Sequence, residues 1–179
     1  MFLDESGVLM APLVRRSWAP RGQTPILYQR TRHYQKVSVI AALCVNPERN
    51  YARLFFRLHV DANINTAAVI GFLRHLSREL DGPIMLVWDR LQTHRSKAMR
   101  LFLARNQHIH FTLLPPYAPE LNPVEYLWGY LKTNPLANFA PSDVDSLACR
   151  TWRHARSLQE KPSLLRSFIA HSPLSLRLE

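Results

Sequence analysis

The sequence predicts an α/β domain: a mixed five-stranded sheet, its first three strands antiparallel, flanked by helices. Three observations carry this. Three strand-like runs precede the first helical period, so the chain opens as an antiparallel meander. Residues 83–88, Pro-Ile-Met-Leu-Val-Trp, form a continuous apolar run ending at Asp89, the pattern of a strand buried on both faces. Finally, the stretch LLPPYAPELNPVEYLWGYLK changes from strand to proline-stiffened loop to helix within twenty residues.

In chain order, Met1-Phe2-Leu3-Asp4 reads as the first strand. Alternation puts Phe2 and Asp4 on one face and Leu3 and Glu5 on the other. Residues 11–32 read as a basic loop insertion shaped by Pro12, Pro20, Gly22 and Pro25, and carry Arg15, Arg16, Trp18 and Arg21. Guanidinium groups beside one aromatic suit phosphate contact and base stacking; the other reading is a surface hairpin with Trp18 folded onto the core. Residues 37–45 form a buried strand, Asn46-Pro47 turns the chain, and residues 53–60 form its antiparallel partner. Asp61 rivals Asp4 as a site acid but reads as a strand-end residue. Asn65 or Thr66 caps a helix through Val69, Phe72, Leu73, Leu76 and Leu80, stopped by Asp81-Gly82-Pro83.

After Asp89, His94 reads either as a helper that orients water or a phosphate, or as a structural residue at a helix start. Residues 96–104 give a basic amphipathic helix with Ala98, Leu101 and Phe102 inward, and 108–114 the fifth strand. Pro115-Pro116 ends it. Asn122 then takes the N-cap of a helix with Pro123 at its first position, and Glu125 falls in its first turn, where a carboxylate suits the helix dipole. Leu127, Trp128 and Leu131 make its buried stripe, with Glu125 and Lys132 on one flank. Residues 141–179 read as a helical extension. Ser142 is the expected N-cap of a helix through Val144, Leu147, Ala148 and Trp152 that exposes Arg150, Arg153 and Arg156, and a last helix over 163–171 packs as a lid.

The charge is as informative as the periodicity. A net charge of +10 and a pI near 10.3 call for a polyanionic partner, nucleic acid first. Residues 6–46 and 90–119 hold no acid at all, so positive surface follows Asp4 and Asp89 directly in sequence. Arg90, Arg95 and Lys132 join Arg15, Arg16, Trp18 and Arg21 as candidate DNA contacts. Cys44 and Cys149, without metal-ligand spacing, read as buried free thiols; with no signal peptide, they favour a reducing cytoplasm. The longest apolar run, 37–45, is too short for a membrane span.

An aspartate inside an apolar strand is costly unless it is paired or binds a cation. Asp4, Asp89 at a strand's C-terminal end and Glu125 at a helix start offer three carboxylates, a donor set for hard Mg²⁺ ions and, with two metals, for phosphoryl transfer. The segments FLDES, VWDRLQTHRS and LPPYAPELNPVEYLWGYLK resemble the three catalytic blocks of mariner-like bacterial insertion-sequence transposases, the DDE superfamily endonucleases. PLVRRSWAPRGQTPIL and LANFAP extend the resemblance over most of the chain.

The resemblance implies an RNase H-like catalytic domain spanning 1–179, with Asp4, Asp89 and Glu125 as the catalytic and metal-binding triad. Two Mg²⁺ ions (Mn²⁺ as substitute) would drive cleavage and strand transfer at insertion-sequence ends. His94 and Asn122 stand as auxiliary residues. Duplex DNA is the implied partner, in a homodimer that brings two ends together. The family's N-terminal helix-turn-helix part is expected on a separate polypeptide or reading frame, or is missing from a truncated copy. Where relatives often carry Asn after the second aspartate, this chain has Arg90, which holds phosphates and cannot ligate metal. Two alternatives stand beside this reading: a catalytically silent DNA-binding fragment, and another RNase H-like nuclease.

Overall fold

A computed structural model describes residues 1–11, 13–28, 35–48 and 50–174. Strands β1 (Phe2–Leu9), β2 (Lys36–Val45) and β3 (Ala52–Val60) form the antiparallel meander. Helix α1 (Thr66–Glu79) leads to β4 (Ile84–Trp88), and α2 (Gln92–Arg95) and α3 (Lys97–Arg105) lead to β5 (Ile109–Leu113). A 3₁₀ turn (Pro119–Leu121) precedes α4 (Pro123–Thr133), α5 (Val144–Gln159) and α6 (Pro162–His171). The sheet order is β3-β2-β1-β4-β5, with β1/β4 and β4/β5 parallel. This is the expected mixed sheet.

Strand alternation divides the core into two layers. Phe2, Val39, Ala41 and Leu43 pack with Leu127, Trp128, Leu131, Leu147 and Leu165 from α4–α6. Leu3, Ile40 and Ala42 face the other way, against Val69, Phe72, Leu73 and Leu76 of α1 and Met99 and Phe102 of α3. Asn65 caps α1 through Ala68 N.

Several expectations need correcting. Strand β4 is not buried on both faces: Met85 is half exposed, because the α4–α6 layer covers β1–β3 and leaves the far part of β4 bare. In α3 the inward residues are Met99, Phe102 and Leu103, while Ala98 and Leu101 face solvent. Leu101 lies about 160° round the helix from Met99 at 100° per residue, so it falls on the face opposite the buried stripe. In α5 the buried stripe is Leu147, Thr151, Ala155 and Leu158, and Trp152 is exposed. Asp143, not Ser142, is the N-cap, closed as a capping box with Ser146. Cys44 is buried as expected but Cys149 is exposed. Trp18 is fully exposed, which removes the reading that folds it onto the core. Within the 11–32 insertion, Pro12 and residues 29–32 lie outside the described residues, as do residues 175–179 of the C-terminal extension. Among the described residues no helix is long and apolar enough to cross a membrane.

Candidate active site

The parallel pairing of Phe2 with Val87 sets the site. Two residues on from this pair stand Asp4, within β1, and Asp89, just past β4, level with each other beside the C-terminal end of β4, where ligand sites of α/β folds gather. Helix α4 supplies the third acid. Its N-cap Asn122, only 3% exposed, accepts from Val124 N (3.2 Å) through Oδ1 and donates Nδ2 to Leu3 O (3.4 Å). One side chain thus starts the helix and ties its first turn to the residue before Asp4. Pro123 fills the first helical position and Glu125 follows in the first turn.

Asp4, Asp89 and Glu125 open on one cavity of about 400 Å³, walled by Arg90 and by the loop Leu114-Pro115-Pro116-Tyr117. Arg90 Nε donates to Leu114 O (3.1 Å), bracing that wall. Among the described residues no three His, Cys, Asp or Glu groups converge as a closed metal cage. The acids share a cavity without closing on one point.

Their electrostatics differ sharply. Asp4 is 6% exposed, and its Oδ2 accepts from Trp128 Nε1 (2.9 Å). Burial first, and then the neighbouring Glu125 carboxylate, push its carboxyl up to about 7, against the lowering effect of the indole N–H. Burial also raises Glu125; Lys132 opposes this and Asp89 adds to it. For Asp89, burial pushes upward, but hydrogen bonds from His94 and from Leu91 N (3.0 Å) outweigh it and hold the group below its ordinary range.

His94 is the residue the sequence left open, and the structure gives it two carboxylate partners. Nδ1 lies 2.9 Å from Asp89 Oδ1 and Nε2 lies 3.0 Å from Glu5 Oε1. The ring is buried and stacks on Trp88, with centroids 4.2 Å apart and planes 9° from parallel. Burial alone would lower its pKa; the bonds to Asp89 and Glu5 reverse that and raise it to about 9. The imidazolium therefore donates both N–H groups, a line from Glu5 through His94 to Asp89.

Sequence reasoning missed Glu5 and Trp128. A signal existed for Glu5: alternation turned it toward the Leu3 face, where an acid must find a cationic partner. For Trp128 the signal was an indole N–H on a stripe destined for burial.

The candidate DNA contacts scatter. Arg90 alone among them lines the acid cavity. Lys132 Nζ donates to Ser6 Oγ (2.7 Å) on β1. Arg15 is a docking residue: Nη1 donates to Thr133 O (2.9 Å), and Asn138 bonds both its backbone N–H (2.8 Å) and C=O (3.0 Å). Arg16 lies beside it in a separate recess, and Trp18 and Arg21 sit on the exposed loop beyond. Arg95 lines a larger groove of about 840 Å³ on the α3 side of the sheet, separate from the acid cavity.

This five-stranded architecture, with Asp4 within β1, Asp89 just past the end of β4 and Glu125 at the start of α4, is the RNase H-like fold of transposase catalytic domains. The chain belongs to the DDE superfamily endonuclease family, matched over residues 1–148. The Mos1 mariner paired-end complex with Mn superposes with a TM-score of 0.60 at 17% identity, covering 96% of this chain and 54% of that one. The Mos1 catalytic domain gives a TM-score of 0.55 at 14% identity, covering 96% of this chain and 80% of that one. An uncharacterized protein of Sinorhizobium fredii (strain NBRC 101917 / NGR234), y4pE/y4sA, is 29% identical over 93 residues, 49% of this chain and 66% of that protein. The chain spans about half the length of the Mos1 chains in the paired-end complexes.

Proposed function

We propose that this chain is a transposase catalytic domain that cleaves and rejoins DNA strands with two divalent cations held by Asp4, Asp89 and Glu125. The observation that supports the reading is that these carboxylates, from two adjacent strands and one helix start, line a single cavity in a member of this family. The donor set fits Mg²⁺ or Mn²⁺, since it is all hard oxygen. So does Asp4: a carboxylate buried beside another, and held near pH 7 for want of a counter-charge, is the place where a cation relieves repulsion. Mos1 complexes with Mn and with Mg support the same metals here.

The bound cations would activate the attacking oxygen and stabilise the leaving one. The protein's own groups prepare the ground. Trp128 Nε1–H donates to Asp4 Oδ2 and fixes that carboxylate in the cavity wall. His94 restrains Asp89 Oδ1, while Asn122 locks the first turn of α4, and with it Glu125, to β1. Arg90, whose Nε is committed to Leu114 O, keeps its terminal N–H groups for a phosphate oxygen at the cavity wall. The proposed partner is duplex DNA, as for the Mos1 paired-end complex with its left transposon end, with two copies joining two ends.

Thermal melting with and without Mn²⁺, in wild type and Asp89→Asn, tests the metal assignment. A stabilisation confined to wild type supports it; equal shifts in both proteins contradict it.

A further inference from the structure

The roomiest recess among those described is not the acid cavity but the groove between α2–α3 and β5, of about 840 Å³. Its floor is apolar, from Leu103, Ile109 and Leu113. Phe111 is half exposed there, its ring edge-on to Trp88 with centroids 6.4 Å apart. Arg95 and Arg100 line the groove, and among the described residues neither guanidinium has a hydrogen bond or ion pair. No acid lines it, and residues 90–119, which supply every lining residue, contain none. Lys97, Arg105, His108 and His110 come from the same stretch.

We infer that this groove binds a single-stranded segment of nucleic acid, with phosphates on Arg95 and Arg100 and a base against Phe111. Uncompensated guanidinium groups beside a half-exposed aromatic ring on an apolar floor are the combination that holds unpaired strands: charge tracks the backbone and the ring takes a base face. The groove is distinct from the acid cavity yet shares a wall with it. The segment 89–95 presents Asp89 and Arg90 to one and Gln92, His94 and Arg95 to the other. A strand freed at the acids therefore has a cationic recess one short segment away. The choice of occupant rests on the DNA reading above; the binding itself needs neither metal nor cleavage.

The test is fluorescence anisotropy of labelled oligo(dT) with the full chain in EDTA, across a salt series. Wild type is compared with Arg95→Glu/Arg100→Glu, with Phe111→Ala, and with Arg153→Glu/Arg156→Glu on the solvent side of α5, which changes net charge equally. The groove double variant is expected to weaken binding at least tenfold and to reduce the salt slope by about 1.4, the contribution of two single-strand phosphates. Phe111→Ala is expected to lose roughly fivefold to a hundredfold, the range of one base–aromatic stack. Phe111→Leu, which keeps apolar packing against Trp88, should lose a similar factor with an unchanged circular dichroism spectrum. Equal losses in the α5 control would reduce the effect to net charge and overturn the inference. So would unchanged binding in the groove variants, or displacement of the oligonucleotide by polyglutamate as readily as by unlabelled oligo(dT), which would make the groove an acidic-peptide surface. Because no metal is present, failure here leaves the proposed metal site standing, and failure of the metal site leaves this outcome intact.

Discussion

Asp4→Asn is the perturbation whose effect follows most directly from the electrostatics of the acid cavity. In the metal-free fold the Asp4 carboxyl is held near pH 7 by burial and by Glu125, with Glu5 on its own strand adding to the effect, against an ordinary value of 3.8. An acid whose folded pKa is raised makes the native state bind more protons than the unfolded chain between those two values. Stability of the metal-free wild type therefore falls as pH rises from about 4 to 7 and stays low above it. The ionised group then costs roughly 4 kcal/mol at pH 8, an upper figure for a buried site. Asparagine removes the charge but keeps an oxygen for Trp128 Nε1. In EDTA at pH 8 the variant should be more stable by about 2–4 kcal/mol, which raises the melting temperature by roughly 5–15 °C in a chain of this length. At pH 4 the difference should shrink to about 0.5 kcal/mol or less, and it should vanish below about pH 3, where the carboxyl is protonated in both states. Adding Mn²⁺ at pH 8 should stabilise wild type and leave the variant unmoved. Calorimetric melting at pH 8 and pH 4 is the assay. A variant less stable than wild type at pH 8 in EDTA, or an advantage that persists undiminished at pH 4, would refute the reasoning.

Other outcomes follow from single contacts. His94→Leu strands Glu5, whose Oε2 already lacks a partner, and should cost about 3–5 kcal/mol by urea denaturation; adding Glu5→Leu should recover part of it. Asn122→Ala loses both the α4 cap and the bond to Leu3 O, for about 1–2 kcal/mol, and should slow DNA nicking by more than its stability loss explains. Asn138→Ala removes both clamps on the Arg15 backbone and should speed tryptic cleavage after Arg15 and Arg16 without shifting global melting by more than a degree or two.

What was legible in the sequence was what short-range physics dictates. Asn122-Pro123 announces a helix start because a side-chain acceptor and a missing N–H both suit that end, and α4 begins there. Asp4 and Asp89 drew notice because a carboxylate inside an apolar strand or at its end needs a reason, and Glu125 because it falls in the first turn of that proline-capped helix; the resemblance joined the three. What stayed hidden depends on contacts far apart in the chain. Nothing local links His94 to Glu5, 89 residues away, or the Trp128 indole to Asp4. The phase of a helix is a related blind spot. In α5, Trp152 lies about 60° past the edge of the Leu147–Thr151–Ala155–Leu158 stripe, and a small polar residue, Thr151, takes the buried place that hydrophobicity alone would assign to the tryptophan. Likewise Met85 is exposed because a helical layer ends short of it, a fact of tertiary extent that the strand's own composition does not record.

The central claim, a metal-dependent DNA-cleaving site built from Asp4, Asp89 and Glu125, is tested most directly by nicking of labelled duplex DNA by the purified chain in Mn²⁺. Asp89→Asn, Asp4→Asn and Glu125→Gln are measured beside it. The account predicts nicking by wild type that EDTA abolishes and that falls at least a hundredfold in each variant. Nicking that survives the three substitutions, or a chain that neither binds nor cuts DNA, would contradict it.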